Sequence, residues 1–258
     1  MIAILAPSKG VNFKDPAPTD IHTQPEFLEE SELLVSILKK FDKAGLMSLM
    51  AVSESIAEVN YERFQQFERP FTLENAKQAL FSFTGDVYRH IRMNTYDESQ
   101  LQFAQKSLRI LSGLYGSLRP LDLIHPYRLE MQTRLKTNQG EDLYQFWGSK
   151  IRDALSRDLA NDPSPLLLNL ASLEYSKAAQ LKKLEAPVLT MSFKEVDNGK
   201  ARTIAIFAKW ARGMMMDHII QNKITDPDAL KLFNEADYKY SAGDSTDTDW
   251  VFTRPRPE

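Results

Sequence analysis

The chain has 258 residues, a formal net charge of −3 at pH 7 and no cysteine, and hydrophobic residues make up 43% of it. This length and apolar content are typical of one globular domain with a sizeable core, which we place at residues 1–258. The absence of cysteine excludes disulfides, thiolate metal sites and a cysteine nucleophile. The acidic balance excludes a surface that is basic throughout, so binding of nucleic acid would require a local basic patch.

The first ten residues, MIAILAPSKG, predict a buried strand and not a targeting signal. Their apolar run has no basic flank and is too short for a signal peptide, and no later stretch is long enough to span a membrane. We therefore expect a cytoplasmic protein that does not contact a membrane. We also expect a monomer, because no segment resembles a coiled coil.

A lysine follows the first predicted strand directly. Ile2–Leu5 is a short aliphatic run broken by Pro7, and Lys9 comes at its carboxyl end. Ligands of open α/β sheets bind at the carboxyl ends of strands, which makes Lys9 a candidate site residue. The flanking glycines of a phosphate-binding P-loop are missing, and the alternative is an ordinary solvated lysine.

Two helical patterns follow, Glu26–Phe41 and a second from Leu46 to Val59, joined by a break that contains Gly45. Two helices with a tight, glycine-containing hairpin outline a helix-hairpin-helix element, which we place within residues 32–59. The hairpin N–H groups and the next helix's positive end could hold a DNA phosphate, whereas the alternative is simple helix packing. Further positive charge comes from Lys39, Lys40 and Lys43.

The segment Leu108–Met131 is the most unusual part of the sequence, because it is dense in Gly, Pro, Tyr and Arg. It follows a predicted helix at Phe71–Phe83 that runs into a strand-like end, and a second predicted helix at Asp97–Ser107. A stiff loop that carries guanidinium groups suits recognition of phosphate or carboxylate. The alternative is that these residues close a turn and that the arginines satisfy buried carbonyls. The candidate site residues of the segment are Tyr115, Arg119, Tyr127, Arg128 and Glu130.

A second buried strand is predicted at Leu166–Leu170, after an amphipathic helix at Leu143–Leu159. Polar and ionisable residues follow this strand as they follow Ile2–Leu5. If both strands lie in one parallel sheet, these residues converge with Lys9, which would be the first sign of a site. The residues concerned are Ser172, Glu174, Tyr175 and Lys177.

The last third of the chain predicts a hairpin of Val188–Phe193 and Arg202–Ile206 around an Asp-Asn-Gly turn at 197–199. A helix at Phe207–Asn222 carries Lys209 and Arg212 on one flank. Two short strands between Tyr238 and Arg254 follow. Together the elements predict a mixed α/β (α+β) domain, with a central mixed sheet, surrounding helices and the helix-hairpin-helix element.

Several motifs together resemble the YaaA peroxide-stress protein family over nearly the whole chain. The Arg109–Met131 block is the most specific of them. The sequence departs from the family's usual residues at Ala6, Gly10 and Asp237. The remaining matching segments are Pro7-Ser8-Lys9, Phe83–Tyr88, Asp142–Gly148, Asn169–Tyr175 without Leu173, and Ala208–Gly213 without Trp210.

The resemblance implies a protein of the hydrogen peroxide stress response that helps lower reactive intracellular iron and so protects DNA. It also implies a single α/β body with a helix-hairpin-helix element, a positively charged cleft and DNA binding. It attaches no enzymatic reaction to the family.

The first functional hypothesis is therefore sequence-nonspecific DNA binding, which would weaken steeply with salt. Lys39, Lys40 and Lys43 would grip an adjacent segment of the DNA. Tyrosine rings would stack on exposed bases of a distorted or single-stranded form, unless they belong to the core. The stacking candidates are Tyr115, Tyr127 and Tyr175. The candidates in the cleft are Lys9, Arg119, Arg128, Ser172, Lys177, Lys209 and Arg212.

Two other hypotheses stay open. The chain could be an enzyme that acts on nucleic acid or a nucleotide, with Lys9 as nucleophile or electrostatic catalyst and Glu130 or Glu174 as general acid or base. It could also bind iron directly through Glu130, Glu174 and His125. Its four histidines show no ligand spacing, however, so we expect neither a resident metal nor a cofactor.

Overall fold

Five parallel strands form the centre of an eight-stranded mixed sheet in the computed structural model, which describes residues 1–257. The parallel strands are β1 (Ile2–Leu5), β3 (Leu108–Ser112), β6 (Leu167–Asn169), β7 (Val188–Asp197) and β10 (Asp249–Pro255). Antiparallel strands β4 (Gly116–Leu118), β8 (Lys200–Arg202) and β9 (Lys239–Tyr240) complete the sheet. A separate pair is formed by β2 (Lys77–Gln78) and β5 (Leu123–Ile124).

Helices surround the sheet, so the expected mixed α/β fold with a central mixed sheet is confirmed. The first five are α1 (Leu28–Leu38), α2 (Lys43–Met50), α3 (Glu54–Gln65), α4 (Ala79–Ser82) and α5 (Glu98–Ser107). The others are α6 (Leu143–Trp147), α7 (Lys150–Ala160), α8 (Leu173–Ala178) and α9 (Ala205–Gln221). None of the helices within residues 1–257 combines the length and apolarity that crossing a bilayer requires.

β1 lies between β3 and β6, with Ala3 opposite Leu108 on one side and Leu168 on the other. Every residue of these three strands is buried. Strands that are buried along their whole length and consist mainly of aliphatic residues are typical of parallel strands that are covered on both faces. The two strands that the sequence predicts on either side of the candidate site, at residues 2–5 and 166–170, are therefore direct neighbours.

The region around residues 32–59 contains parts of three helices, so the prediction of one continuous second helix is wrong. Ala51 has a left-handed backbone (φ 50°) and ends α2, and α3 begins at Glu54. The Asp42 carboxylate caps α2 by accepting from the N–H of Gly45 at 2.7 Å. The helix-hairpin-helix assignment is not confirmed by this arrangement and stays a prediction.

Two other predicted helices are also broken. Residues 71–83 contain β2 and the single turn α4, because residues 77–78 pair with β5. The predicted helix at 143–159 divides into α6 and α7 at Gly148, whose φ of 50° lies in the left-handed region that favours glycine. The helix after Asp97 is confirmed, with a capping box formed by Asp97 and Gln100.

The hairpin around the Asp-Asn-Gly turn is confirmed, with positive φ at Asn198 (49°) and Gly199 (73°). Its second strand ends at Arg202, however, and residues 205–206 already belong to α9. The two strands predicted near the carboxyl end are β9 and β10, which pair antiparallel.

Candidate functional site

A cavity of about 520 Å³ lies at the carboxyl ends of β1 and β6. Residues 6–10, which follow β1, form one wall, and Leu170, Ser172, Glu174 and Tyr175, which follow β6, form another. Lys9, Ser172 and Glu174, which are expected to converge if both strands share a parallel sheet, line the same cavity, whereas Lys177, expected with them, does not. The loop at 84–89, the segment 127–130 and two residues of α9 close the cavity.

Cations outnumber carboxylates among the residues that line the cavity. Three carboxylates contribute, from Asp86, Glu130 and Glu174. Five cationic side chains contribute, from Lys9, Arg89, Arg128, Lys209 and Arg212. The cavity is therefore locally positive in a chain whose net charge is −3, and such a focused field attracts anions.

Glu130 is shared between two of these cations. Its Oε1 lies 3.1 Å from Lys9 Nζ and accepts a hydrogen bond from Arg128 NH2 at 3.0 Å. Burial alone would raise the pKa of Glu130, but Lys9 and Arg128 outweigh burial and lower it below its usual value. Glu130 is thus a fixed negative charge that holds Lys9 and Arg128 at the same point of the cavity.

The surroundings of Glu174 shift its pKa in the opposite direction to that of Glu130. Its carboxylate accepts a hydrogen bond from the backbone N–H of Gln132 at 3.1 Å. Burial is the main reason that the pKa of Glu174 is raised, and the nearby Glu130 charge raises it further. Two carboxyl groups in one cavity whose pKa values move apart are the arrangement that acid–base chemistry uses.

Arg212 is a half-buried cation without a counterion. Within residues 1–257 no carboxylate forms an ion pair with it, and its buried Nε has no hydrogen-bond partner. Burial lowers its pKa, although a guanidinium stays protonated at neutral pH. Removing a cation from water without a partner is costly, which makes Arg212 a strong candidate for binding an anionic ligand.

Close backbone packing positions α9 and the 84–89 loop. A Cβ at Gly213 would overlap the carbonyl oxygen of Val87, so only glycine allows α9 to lie this close to the loop. The Tyr88 hydroxyl donates to the carbonyl oxygen of Ala6 at 3.0 Å, which joins the loop to the end of β1. On the neighbouring turn of α9, Lys209 Nζ lies 3.7 Å from Asp86.

Tyr127 and Tyr175 line the cavity although their side chains are largely buried. Burial raises the pKa of both hydroxyls, so both stay protonated at neutral pH. The Tyr127 hydroxyl forms a 2.6 Å hydrogen bond with Ser112 Oγ of β3. The two tyrosines therefore form rigid walls of the cavity, with limited ring surface facing it.

Comparison with known proteins identifies the family. A sequence profile described as "Peroxide stress protein YaaA" matches residues 1–244. The chain belongs to the peroxide stress protein YaaA family. It is 49% identical over 254 residues to a UPF0246 protein of Acaryochloris marina, covering 98% of this chain and 100% of the relative. It is 45% identical over 257 residues to a UPF0246 protein of Cellvibrio japonicus, covering 100% of both chains.

A UPF0246 protein of Neisseria meningitidis is 46% identical over 254 residues, which is 98% of either chain. The similarity to these relatives therefore includes both walls of the cavity and α9. The resemblance to the YaaA family that the sequence motifs indicate is confirmed.

Nine of the predicted site residues lie in the cavity of this YaaA-family protein. What they bind or catalyse stays a prediction. They are Lys9, Tyr127, Arg128, Glu130, Ser172, Glu174, Tyr175, Lys209 and Arg212.

Three other predicted residues lie outside the cavity. Tyr115 is fully buried, and its hydroxyl accepts the backbone N–H of His125, so its ring has no face for a nucleic-acid base. Arg119 lies 3.8 Å from Asp158 and directly follows β4, at the end of the β3–β4 hairpin that is remote from its turn. Lys177 Nζ lies over the Tyr144 ring at 4.2 Å from its centroid, which draws the cation away from the cavity.

The three lysines assigned to the helix-hairpin-helix element do not line the cavity either. Lys39 Nζ donates to the carbonyl oxygen of Phe67 at 3.2 Å. Lys43 forms an ion pair with Glu58 of α3, and Lys40 is exposed. Of the three lysines, only Lys40 takes no part in either of these two contacts.

Arg89 and Asp86 line the cavity but are not among the predicted site residues. The signal that could have found them is the Thr84-Gly85-Asp86 turn, a polar turn that follows buried Phe83 within one of the family-like segments. This turn lies 75 residues or more from Lys9 in the sequence, so the local pattern does not indicate that both line the same cavity.

The residues proposed for direct iron binding do not meet. His125 lines a different cavity, of about 610 Å³, together with Arg63 and Gln78. Within the described part of the chain, no group of three or more His, Asp or Glu side chains could hold a metal ion. The set Glu130, Glu174 and His125 is therefore not a shared site.

Proposed function

We propose that the protein acts in the peroxide stress response by binding DNA, without sequence preference, in the cationic cavity and on the surface around it. Membership of the peroxide stress protein YaaA family supports the role in peroxide stress. The observation that carries the DNA part is Arg212, a half-buried guanidinium with no ion-pair partner among the described residues, in a cavity where cations are in excess.

A phosphate group fits this environment, in which cationic side chains outnumber carboxylates. Guanidinium groups bind phosphate oxygens in a planar, two-pronged geometry, and Arg128 and Arg212 line the same cavity. Contacts of this kind position a nucleic acid without reading its bases. Each phosphate neutralised on duplex DNA contributes about −0.9 to the slope of log affinity against log salt.

Two further parts of the proposal are supported by the family likeness alone. The protein helps to limit reactive intracellular iron and thereby protects DNA, and it works in the cytoplasm. That it works as a monomer is proposed on a different ground, the absence of a coiled-coil pattern in the sequence. The arrangement of the described residues favours an effect on iron that does not require the protein to ligate the metal, because His125 lies apart from the two cavity glutamates.

Fluorescence anisotropy with a labelled duplex of arbitrary sequence tests the proposal. We expect Arg128→Gln and Arg212→Gln each to weaken binding about tenfold at low salt and to reduce the salt slope by about one. Arg119→Gln is the matched control, since Arg119 lies outside the cavity beside Asp158, and it should change affinity less than about twofold. Absence of duplex binding at low salt, or binding that salt does not weaken, would contradict the proposal.

The second candidate function is an enzyme that acts on nucleic acid or a nucleotide. It is favoured by the opposite pKa shifts of Glu130 and Glu174 in one cavity, beside Lys9. Attack by Lys9 would need its neutral amine and the loss of its ion pair with Glu130. An electrostatic role for Lys9, with Glu174 as the group that holds and moves a proton, therefore fits the geometry better than a nucleophilic one.

Borohydride trapping with abasic duplex DNA separates these roles. A covalent adduct of the wild type that Lys9→Ala lacks would establish Lys9 as a nucleophile. Its absence, together with a product that forms in the wild type but not in Glu174→Gln, would establish the electrostatic version. If neither an adduct nor a product forms, the enzymatic function is wrong.

A further inference from the structure

Leu173 is the most exposed large apolar side chain in the described part of the chain, with 84% of its surface open to solvent. It is the first residue of α8 and lies between Ser172 and Glu174, both of which line the cationic cavity. Leu173 itself is not part of the lining. Its isobutyl group therefore projects into solvent beside the mouth of the cavity.

The backbone that carries Leu173 is held firmly. The carbonyl oxygen of Glu174 accepts a hydrogen bond from the Tyr144 hydroxyl at 3.1 Å, and the Glu174 carboxylate accepts from Gln132 N–H. Tyr175, the next residue, is 6% exposed. The segment cannot turn Leu173 inward without breaking these contacts, so the leucine is a rigid apolar projection and not a loosely placed one.

The cavity behind this projection is large enough for one nucleotide. Its volume of about 520 Å³ lies in the range of about 300–1,000 Å³ that is typical of sites for small organic ligands. Arg128 and Arg212 can meet a phosphate there, and Tyr127 and Tyr175 form flat walls. An interior of this size is more than contact with an undistorted duplex backbone requires.

We infer that Leu173 is a wedge that enters the base stack of a duplex and occupies the gap left by one nucleotide, which is displaced into the cavity. Apolar wedges of this kind unstack neighbouring bases in several DNA-binding folds. A displaced nucleotide is least costly at a mismatch, where pairing is already weak. The inference rests on the proposed DNA binding and adds to it the form of DNA that the site accepts.

Emission from 2-aminopurine reports the displacement, because the base is quenched while it is stacked. The probe is a short duplex with one 2-aminopurine opposite cytosine, a mismatch that localises the event. On saturation with the wild type we expect emission to rise roughly threefold, and with Leu173→Ala to stay within about a third of its free value. Leu173→Met keeps a long apolar side chain and should retain most of the rise.

Leu232→Ala is the matched control, because Leu232 is 78% exposed and neither lines the cavity nor flanks a residue that does. It should behave as the wild type. Anisotropy on the same duplex measures binding separately, and we expect Leu173→Ala to bind within about threefold of the wild type, because the phosphate contacts remain.

The outcomes separate the wedge from the DNA binding on which it rests. If the wild type binds the duplex without a rise in emission, or if Leu173→Ala gives the same rise as the wild type, the wedge is wrong while DNA binding stands. If no protein binds any duplex, both the wedge and the proposed function are wrong.

Discussion

Lys9 Nζ and Glu130 Oε1 are 3.1 Å apart, although 121 positions separate the two residues in the sequence. The same oxygen accepts from Arg128. One carboxylate therefore neutralises part of the charge of two cations beside the carboxyl end of β1. A DNA phosphate that reaches these cations has to compete with Glu130, so this residue should limit affinity as well as organise the site.

Glu130→Gln should accordingly strengthen the proposed DNA binding. The substitution removes one negative charge and keeps the size of the side chain, so we expect affinity to rise about fivefold at low salt and the salt slope to steepen by about one. Glu141→Gln is the control, because Glu141 pairs with Lys136 and does not line the cavity. A loss of affinity in the Glu130 variant would mean that Glu130 positions the cations more than it competes with DNA.

Gly213→Ala should destabilise the protein. A Cβ at this position would overlap the carbonyl oxygen of Val87, which is backbone and cannot move aside without shifting the 84–89 loop. We expect urea unfolding to show a loss of about 2–3 kcal/mol. Gly243→Ala, where an added Cβ would meet nothing within 4 Å, should change stability by less than about 0.5 kcal/mol. Equal effects at both positions would argue against close packing of α9.

These cases show what the sequence could and could not predict. β1 and β6 are short apolar runs followed by polar residues, and local pattern is sufficient to find them and the residues at their ends. The place of Arg212 depends instead on how α9 packs against the 84–89 loop, a contact between residues more than 120 positions apart. Local periodicity carries no information about such a contact.

Side-chain partners explain the errors within the predicted site. Glu174 and Lys177 lie three residues apart in one helix, and only Glu174 lines the cavity, because Lys177 lies over the ring of Tyr144. The place of Tyr115 in an Arg- and Gly-rich segment predicts base stacking, but that segment includes β3 and β4 and is largely core. Residue type predicted the chemistry of the segment but not its burial.

Asp122 should make stability depend on pH. Burial raises its pKa to about 6 from the usual 3.8, against hydrogen bonds from the Thr23 hydroxyl and the Arg119 N–H. The folded state therefore binds a proton more tightly than the unfolded state. Its contribution to stability is fully present below pH 4, falls as pH rises from about 4 to 6, and amounts to about 3 kcal/mol in total.

Asp122→Asn isolates this effect, since the variant cannot titrate at position 122. We expect the wild type to lose about 3 kcal/mol relative to Asp122→Asn between pH 3 and pH 7, on top of a constant difference caused by altered hydrogen bonds. Urea unfolding of both proteins across this pH range measures the difference. A difference that stays constant with pH would show that the Asp122 carboxyl has an ordinary pKa in the folded protein.

Arg212→Met should stabilise the free protein and remove its response to phosphate compounds. The guanidinium has no ion-pair partner within residues 1–257, so an apolar side chain of similar length removes the cost of burying an unpaired charge, and we expect a gain of about 1 kcal/mol.

Pyrophosphate at about ten times its dissociation constant should stabilise the wild type by about 1.4 kcal/mol and raise its Tm by about 3 °C. Arg212→Met should show no such rise, while Arg119→Met, altered outside the cavity, should keep it. Sodium chloride at matched ionic strength controls for general salt effects. An equal pyrophosphate response in all three proteins would show that the anion does not bind at Arg212.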